Sequence, residues 1–142
     1  MSILFIGADP FLCDNKDMKK LLYVEDEKEL QTIFASGLNG LDVEISSAAD
    51  ASSAIKIIEE QDFDIIVLDL HYVGEGSAKD ILKFIESTSK KMCVEIFIVT
   101  GFIDLKMSLS KEFDYILNPQ NIFLKPDGFF ELILRLKTLL KS

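Results

Sequence analysis

Cysteine is scarce in this chain of 142 residues, and Cys13 and Cys93 are all it has. Two are too few for a disulfide framework, and neither stands at metal-ligand spacing, so the chain reads as a reduced, cytoplasmic protein. Basic residues are also in deficit: 15 against 24 acidic ones give a net charge of −9, which repels a phosphate backbone and argues against direct nucleic-acid binding. Long apolar runs are missing as well. The run near the start, Ile3 to Ile6, is far too short to span a membrane and lacks the basic flank of a signal peptide. There is no internal repeat, no low-complexity segment and no Walker sequence, and His71 is the single histidine.

What is present is apolar material. A hydrophobic content of 49% over a length typical of one domain is enough to build a core without external staples. Residues 1–18 read as an N-terminal extension, because Gly7, Pro10 and the polar Asp14 to Asp17 cluster interrupt anything begun by Ile3 to Ile6. Such a segment is a loosely docked arm, an added edge strand or a partner-binding arm. Residues 19–142 carry the regular pattern.

That pattern alternates strand and helix. Lys19 to Val24 predicts a strand ending in Glu25-Asp26-Glu27, and Leu30, Ile33, Phe34 and Leu38 recur at helical spacing, with Gly40 placed to close the helix. Val43 and Ile45 predict a second strand, and Asp50 caps a helix that turns Ala54, Ile55 and Ile58 inward. The apolar run Ile65 to Leu68 predicts a central strand that ends at Asp69. Ser77 with Asp80 resembles a capping box before a helix bearing Ile81, Leu82 and Ile85. A fourth strand follows over Glu95 to Val99, ending at Thr100, then a helix over Leu105 to Leu117 broken by Pro119. A short strand, Asn121 to Leu124, ends at Lys125-Pro126, and a last helix spans Phe129 to Leu140.

Five such units imply an α/β fold with a parallel sheet and helices on both faces. Asp26, Asp69, Thr100 and Lys125 then fall at the carboxyl ends of different strands, where open α/β sheets bind ligands. Crowding the carboxylates of Glu25, Asp26 and Asp69 is unfavourable unless a hard cation or raised pKa values relieve the repulsion. Mg2+ answers this, since it takes oxygen ligands and is commonly held by one or two carboxylates plus a phosphate oxygen. Lys125 supplies a mobile positive charge and Thr100 a hydroxyl donor. A carboxylate nucleophile with these companions is sufficient for phosphoryl transfer, which depends mainly on positioning and charge neutralisation.

In these residues the chain from about Lys19 to Leu140 resembles the receiver domain of two-component response regulators. The resemblance implies a doubly wound (βα)5 flavodoxin-like sheet of strand order 2-1-3-4-5. It implies that Asp69 accepts a phosphoryl group from a histidine kinase or phosphotransfer protein, with Thr100 and Lys125 completing the catalytic set. It implies Mg2+ held by Glu25, Asp26, Asp69 and the backbone carbonyl of His71, whose imidazole need not take part. Three features depart from the family pattern, one being a Thr100-to-Lys125 spacing a few residues longer than is usual, with the extra length around Asn118-Pro119-Gln120. The loop after Asp69 has Val73 where a proline is usual and continues as Gly74-Glu75-Gly76-Ser77. The switch position three before the lysine is Ile122 instead of an aromatic residue, with Phe123 beside it and Tyr115 upstream.

Other readings account for fewer residues. Gly74-Glu75-Gly76 before a helix suggests a nucleotide loop, but the third glycine of that fingerprint would fall at Lys79. A phosphohydrolase using an aspartyl phosphate needs a general acid or base beside its nucleophile, and His71-Tyr72 offers no carboxylate there. A pseudo-receiver that signals without phosphorylation draws on the altered loop and on Ile122. Phe129, Phe130, Leu132, Ile133, Leu134, Leu136, Leu139 and Leu140 make the last helix more apolar than one buried face requires, which suits a homodimer or partner surface as well as a wide packing face. His71 and Phe102, two residues beyond Asp69 and Thr100, are placed to hinder an attacking water. With no output domain after Ser142, the sequence fits a stand-alone receiver or the receiver part of a longer protein.

Overall fold

The computed structural model of the chain describes residues 18–70, 78–88, 94–101 and 103–141. Most of the N-terminal extension, His71, the Val73 to Ser77 loop with its capping serine, Phe102 and both cysteines lie outside the described residues. Strands and helices alternate: β1 Lys19–Val24, α1 Lys28–Gly37, β2 Val43–Ala48, α2 Ala51–Glu60, β3 Ile65–Leu70, α3 Ala78–Glu86, β4 Glu95–Thr100, α4 Ile103–Glu112, β5 Ile122–Leu124 and α5 Gly128–Lys141. The five strands form one sheet in the order β2-β1-β3-β4-β5, with every neighbouring pair parallel. This is the parallel sheet the alternation implied, in the doubly wound (βα)5 order that the resemblance implied.

Side-chain alternation along the strands sorts the core into two layers. Leu21, Tyr23, Ile65, Val67, Phe97 and Val99 face helices α1 and α5, where they meet Phe34, Leu38, Phe129, Leu132, Ile133 and Leu136. Leu22, Val24, Ile66, Leu68, Ile96, Ile98 and Ile122 face the other side, against Ala54 and Ile58 of α2, Ile81 and Ile85 of α3, and Leu109 of α4. Strands β1, β3 and β4 are buried on both faces, which is why they read as continuous apolar runs.

Local signals explain most boundaries. Asp50 Oδ1 accepts from the Ser53 N–H at 2.7 Å and caps α2. This contact also lowers the Asp50 pKa below the usual carboxylate range. Helix α1 ends at Gly37, three residues before the glycine expected to close it. Gly40 instead sits in the following turn with φ of +86°, a conformation that favours glycine. Helix α4 stops at Glu112 and does not run to Leu117. Even so, Leu109, Phe113, Ile116 and Leu117 are all buried, because the chain continues as a turn in which the Leu117 N–H donates to the Phe113 carbonyl at 2.9 Å. Asn118 then caps a single 3-10 turn, Pro119–Asn121, so β5 starts one residue later than the sequence suggests.

Two close approaches seat α5. A Cβ added to Gly128 would lie 2.8 Å from the Phe123 carbonyl carbon, so only glycine lets the helix start this near β5. At Gly37 the same addition would meet Ile133 of α5 at 3.0 Å.

Candidate functional site

The carboxyl ends of β1, β3, β4 and β5 hold the candidate residues, and backbone pairing fixes where each begins. The Glu25 N–H donates to the Ala48 carbonyl at 2.9 Å, extending the β1–β2 ladder one residue past β1. Likewise the Lys125 N–H donates to the Thr100 carbonyl at 2.9 Å, one residue past β5. Asp69 is still within β3, opposite Val99, and Leu70 is the strand's last residue. The strand therefore runs one residue beyond the carboxylate expected to end it.

Asp69 is buried and forms the centre of the cluster. Lys125 Nζ lies 2.6 Å from Asp69 Oδ1, a charge-assisted contact between a partly exposed ammonium and a fully covered carboxylate. On the other oxygen, the Tyr23 hydroxyl donates to Asp69 Oδ2 at 3.1 Å. Tyr23 itself is fully buried and stacks on Phe34 with ring centroids 4.1 Å apart. Burial, reinforced by the Asp69 and Glu25 carboxylates, pushes its hydroxyl well above the usual phenol range and keeps it a donor.

Glu25 is the second buried acid. Its Oε2 accepts from the Glu27 N–H at 3.0 Å, and the Gln31 side chain donates to its carbonyl. Burial and a hydrogen bond to Asp69 push its pKa up to about 7, against the lowering effect of the Glu27 N–H. Asp26 lies at the exposed rim of the same end. Thr100, the last residue of β4, is fully buried, and alternation puts it on the α2–α3–α4 side with Ile98. Ile122 is buried on that side too, whereas Phe123 is half-buried towards α5, its ring 5.7 Å from the Arg135 guanidinium. Tyr115 is exposed.

The donor set can be tested against a hard cation. Two carboxylates, Glu25 and Asp69, are buried at the same end of the sheet, and that burial raises the Glu25 pKa. A cation that prefers oxygen ligands and retains several waters would relieve the crowding of these two acids. Among the described residues no three acidic, histidine or cysteine side chains already stand at metal-ligating geometry. Mg2+ does not require three. Glu25 and Asp69 are the residues able to hold it, with Asp26 at the rim.

No protein-family profile matches the chain. The transcriptional regulatory protein CusR of Escherichia coli is 27% identical over 122 residues, which is 86% of this chain and 51% of CusR. The chain spans about half the length of the curated relatives it matches. The signal receiver domain of a LuxO repressor protein from Vibrio parahaemolyticus superposes with a TM-score of 0.69 at 22% identity, covering 87% of this chain and 91% of that one. The response regulator TrrA of Thermotoga maritima, solved in complex with Mg2+-BeF, gives 0.67 at 24% identity, covering 87% of this chain and all of the other. The chain has the receiver-domain fold of two-component response regulators.

Within that receiver fold, two buried polar residues escaped the sequence reading. Tyr23 was indistinguishable from any apolar strand residue. Its reach to Asp69 follows from the pairing of Tyr23 with Val67, two residues below the carboxylate on the same face. Asn121 is buried at the base of β5 and donates through Nδ2 to the Ile96 carbonyl at 3.3 Å, fastening the start of β5 to β4. Standing directly after Asn118, Pro119 and Gln120, it carried no sign of burial in the sequence.

Proposed function

We propose that this receiver fold serves as a phosphoacceptor in two-component signalling, with Asp69 as the acceptor. A buried carboxylate at the carboxyl end of the central strand, ion-paired to Lys125 at 2.6 Å and accepting from the Tyr23 hydroxyl, supports this reading. An Asp69 oxygen attacks the phosphorus of a phosphohistidine on a kinase or phosphotransfer protein. The nitrogen–phosphorus bond breaks and the histidine leaves as the aspartyl phosphate forms. Lys125 follows the transferred group and neutralises one of its oxygens, and the Thr100 hydroxyl donates to another. When bound by Glu25, Asp26, Asp69 and the His71 carbonyl, Mg2+ supplies further charge neutralisation. The chain's catalysis is confined to its own phosphorylation and dephosphorylation.

The output is a change of protein-interaction surface. Drawing Thr100 towards the phosphoryl group alters packing beside Ile122, where the chain lacks an aromatic ring able to swing inward. Exposed Phe130 and Leu134, one turn apart on α5, fit the expected partner or homodimer surface. No helix among the described residues is long and apolar enough to cross a membrane.

Incubation with acetyl phosphate and Mg2+, followed by intact-mass measurement, tests the reading. The wild-type chain gains the mass of one phosphoryl group and Asp69→Asn gains none. The second reading, an interaction module that works unphosphorylated, rests on Ile122 at the switch position and predicts no gain in either protein.

A further inference from the structure

Tyr23 is the buried residue of the site that the phosphoryl chemistry leaves unused. Its ring is fully buried and stacked on Phe34, which restricts where the hydroxyl can point. That hydroxyl donates to Asp69 Oδ2 at 3.1 Å and also neighbours the Glu25 carboxyl, while Lys125 Nζ lies 2.6 Å from Oδ1. The two oxygens of one carboxylate therefore have different surroundings: a neutral, immobile donor on one and a mobile cation on the other.

We propose that Tyr23 is a positioning residue whose hydroxyl holds Asp69 Oδ2, leaves Oδ1 on the Lys125 side as the nucleophile, and shortens the lifetime of the aspartyl phosphate. This inference rests on Asp69 being the phosphoacceptor. During uptake, an Oδ1–phosphorus bond forms as the bond from phosphorus to the donor breaks, and the donor departs with that electron pair. During loss, a water oxygen bonds to phosphorus, the Oδ1–phosphorus bond breaks, and its electron pair returns to the carboxylate. The water's protons leave with inorganic phosphate.

Charge on Oδ2 differs between the two states. In the free protein Oδ2 shares a full negative charge, whereas in the aspartyl phosphate it is a neutral acyl oxygen. A hydrogen bond to an ionised acceptor is roughly twice as strong as one to a neutral acceptor. The Tyr23 hydroxyl thus favours the free carboxylate, and it stabilises the charge returning to Oδ2 as the acyl phosphate breaks.

Tyr23→Phe removes the hydroxyl and keeps the stacked ring. Wild-type and variant chains are phosphorylated with acetyl phosphate and Mg2+, desalted, and followed by intact mass as the phosphoryl group is lost. The half-life of the aspartyl phosphate lengthens about three- to tenfold in Tyr23→Phe. A merely loosened site would admit water and shorten the half-life, so the direction of change separates positioning from packing. Equal or shorter half-lives overturn the inference while leaving the proposed function standing. A wild-type chain that takes up no phosphoryl group overturns both.

Discussion

The two faces of the sheet carry different halves of the site. On the α1–α5 side, Tyr23, Glu25, Asp69 and Lys125 converge in short polar contacts over a floor that includes the Tyr23–Phe34 stack. On the α2–α3–α4 side stand Thr100 and Ile122, with apolar neighbours and no ring at the switch position. An exposed Lys79–Glu112 ion pair of 2.8 Å links α3 to α4 there, a contact worth about 0–1 kcal/mol. Under the proposed function, the difference teaches that bond-making chemistry and its readout would be separated by one residue's alternation along β4 and β5. One face gathers charged and polar groups, and the other is a buried apolar layer.

The largest expected effect breaks this division by substituting on each side. Lys125→Ala lowers the rate of phosphorylation by acetyl phosphate by on the order of a hundredfold, because the cation paired to Asp69 and aimed at the transferred group is lost. Thr100→Ala keeps uptake within about tenfold of wild type, as loss of a single hydrogen bond allows. It abolishes the phosphorylation-dependent change in hydrogen exchange over α4. Equal losses of uptake in the two variants, measured by intact mass against time, would erase the distinction between the faces.

Gly128→Ala sharpens the comparison on the α5 side. A methyl group 2.8 Å from the Phe123 backbone forces α5 off β5, and such overpacking costs about 1–3 kcal/mol. That exceeds the gain of roughly 1 kcal/mol that alanine brings to a helix interior, a gain that is smaller at the first residue of α5. Urea unfolding should show the lower midpoint.

Glu25 gives the charged face a pH signature. Its pKa is raised from 4.5 to about 7 in the folded state, so between those values the folded chain keeps a proton that the unfolded chain has released. Without a divalent cation, the stability contributed by this group is complete below about pH 4.5 and is lost as the pH rises through about 7. Thermal melts of wild type should fall over this window, and those of Glu25→Gln should fall less. The smallest effect belongs to the other face: Asp50→Ala removes the α2 cap and lowers stability by about 1 kcal/mol, seen as a small shift in the urea midpoint.

Much of the fold was legible because its signals are local. Apolar runs marked strands buried on both faces, Asp50 marked the start of α2, and the polar residues ending those runs marked the candidate site. What stayed hidden depends on contacts between strands that are distant in sequence. Nothing in Lys19 to Val24 reveals that Tyr23 pairs with Val67, and without that register its hydroxyl cannot be placed beneath Asp69. Gly128 reads as a helix-start glycine until Phe123 is seen against it. Gly40 drew the end of α1 too far, since a glycine with positive φ serves a turn as readily as a helix cap.

The most direct test locates the modified residue. After phosphorylation with acetyl phosphate and Mg2+, borohydride reduction converts an aspartyl phosphate to homoserine, which peptide mass spectrometry assigns to a position. The expected result is conversion at Asp69 and at no other carboxylate, with none in a sample lacking the phosphodonor. Conversion at Glu25 or Asp26, or an unmodified Asp69 in fully treated protein, would contradict the assignment of Asp69 as the acceptor.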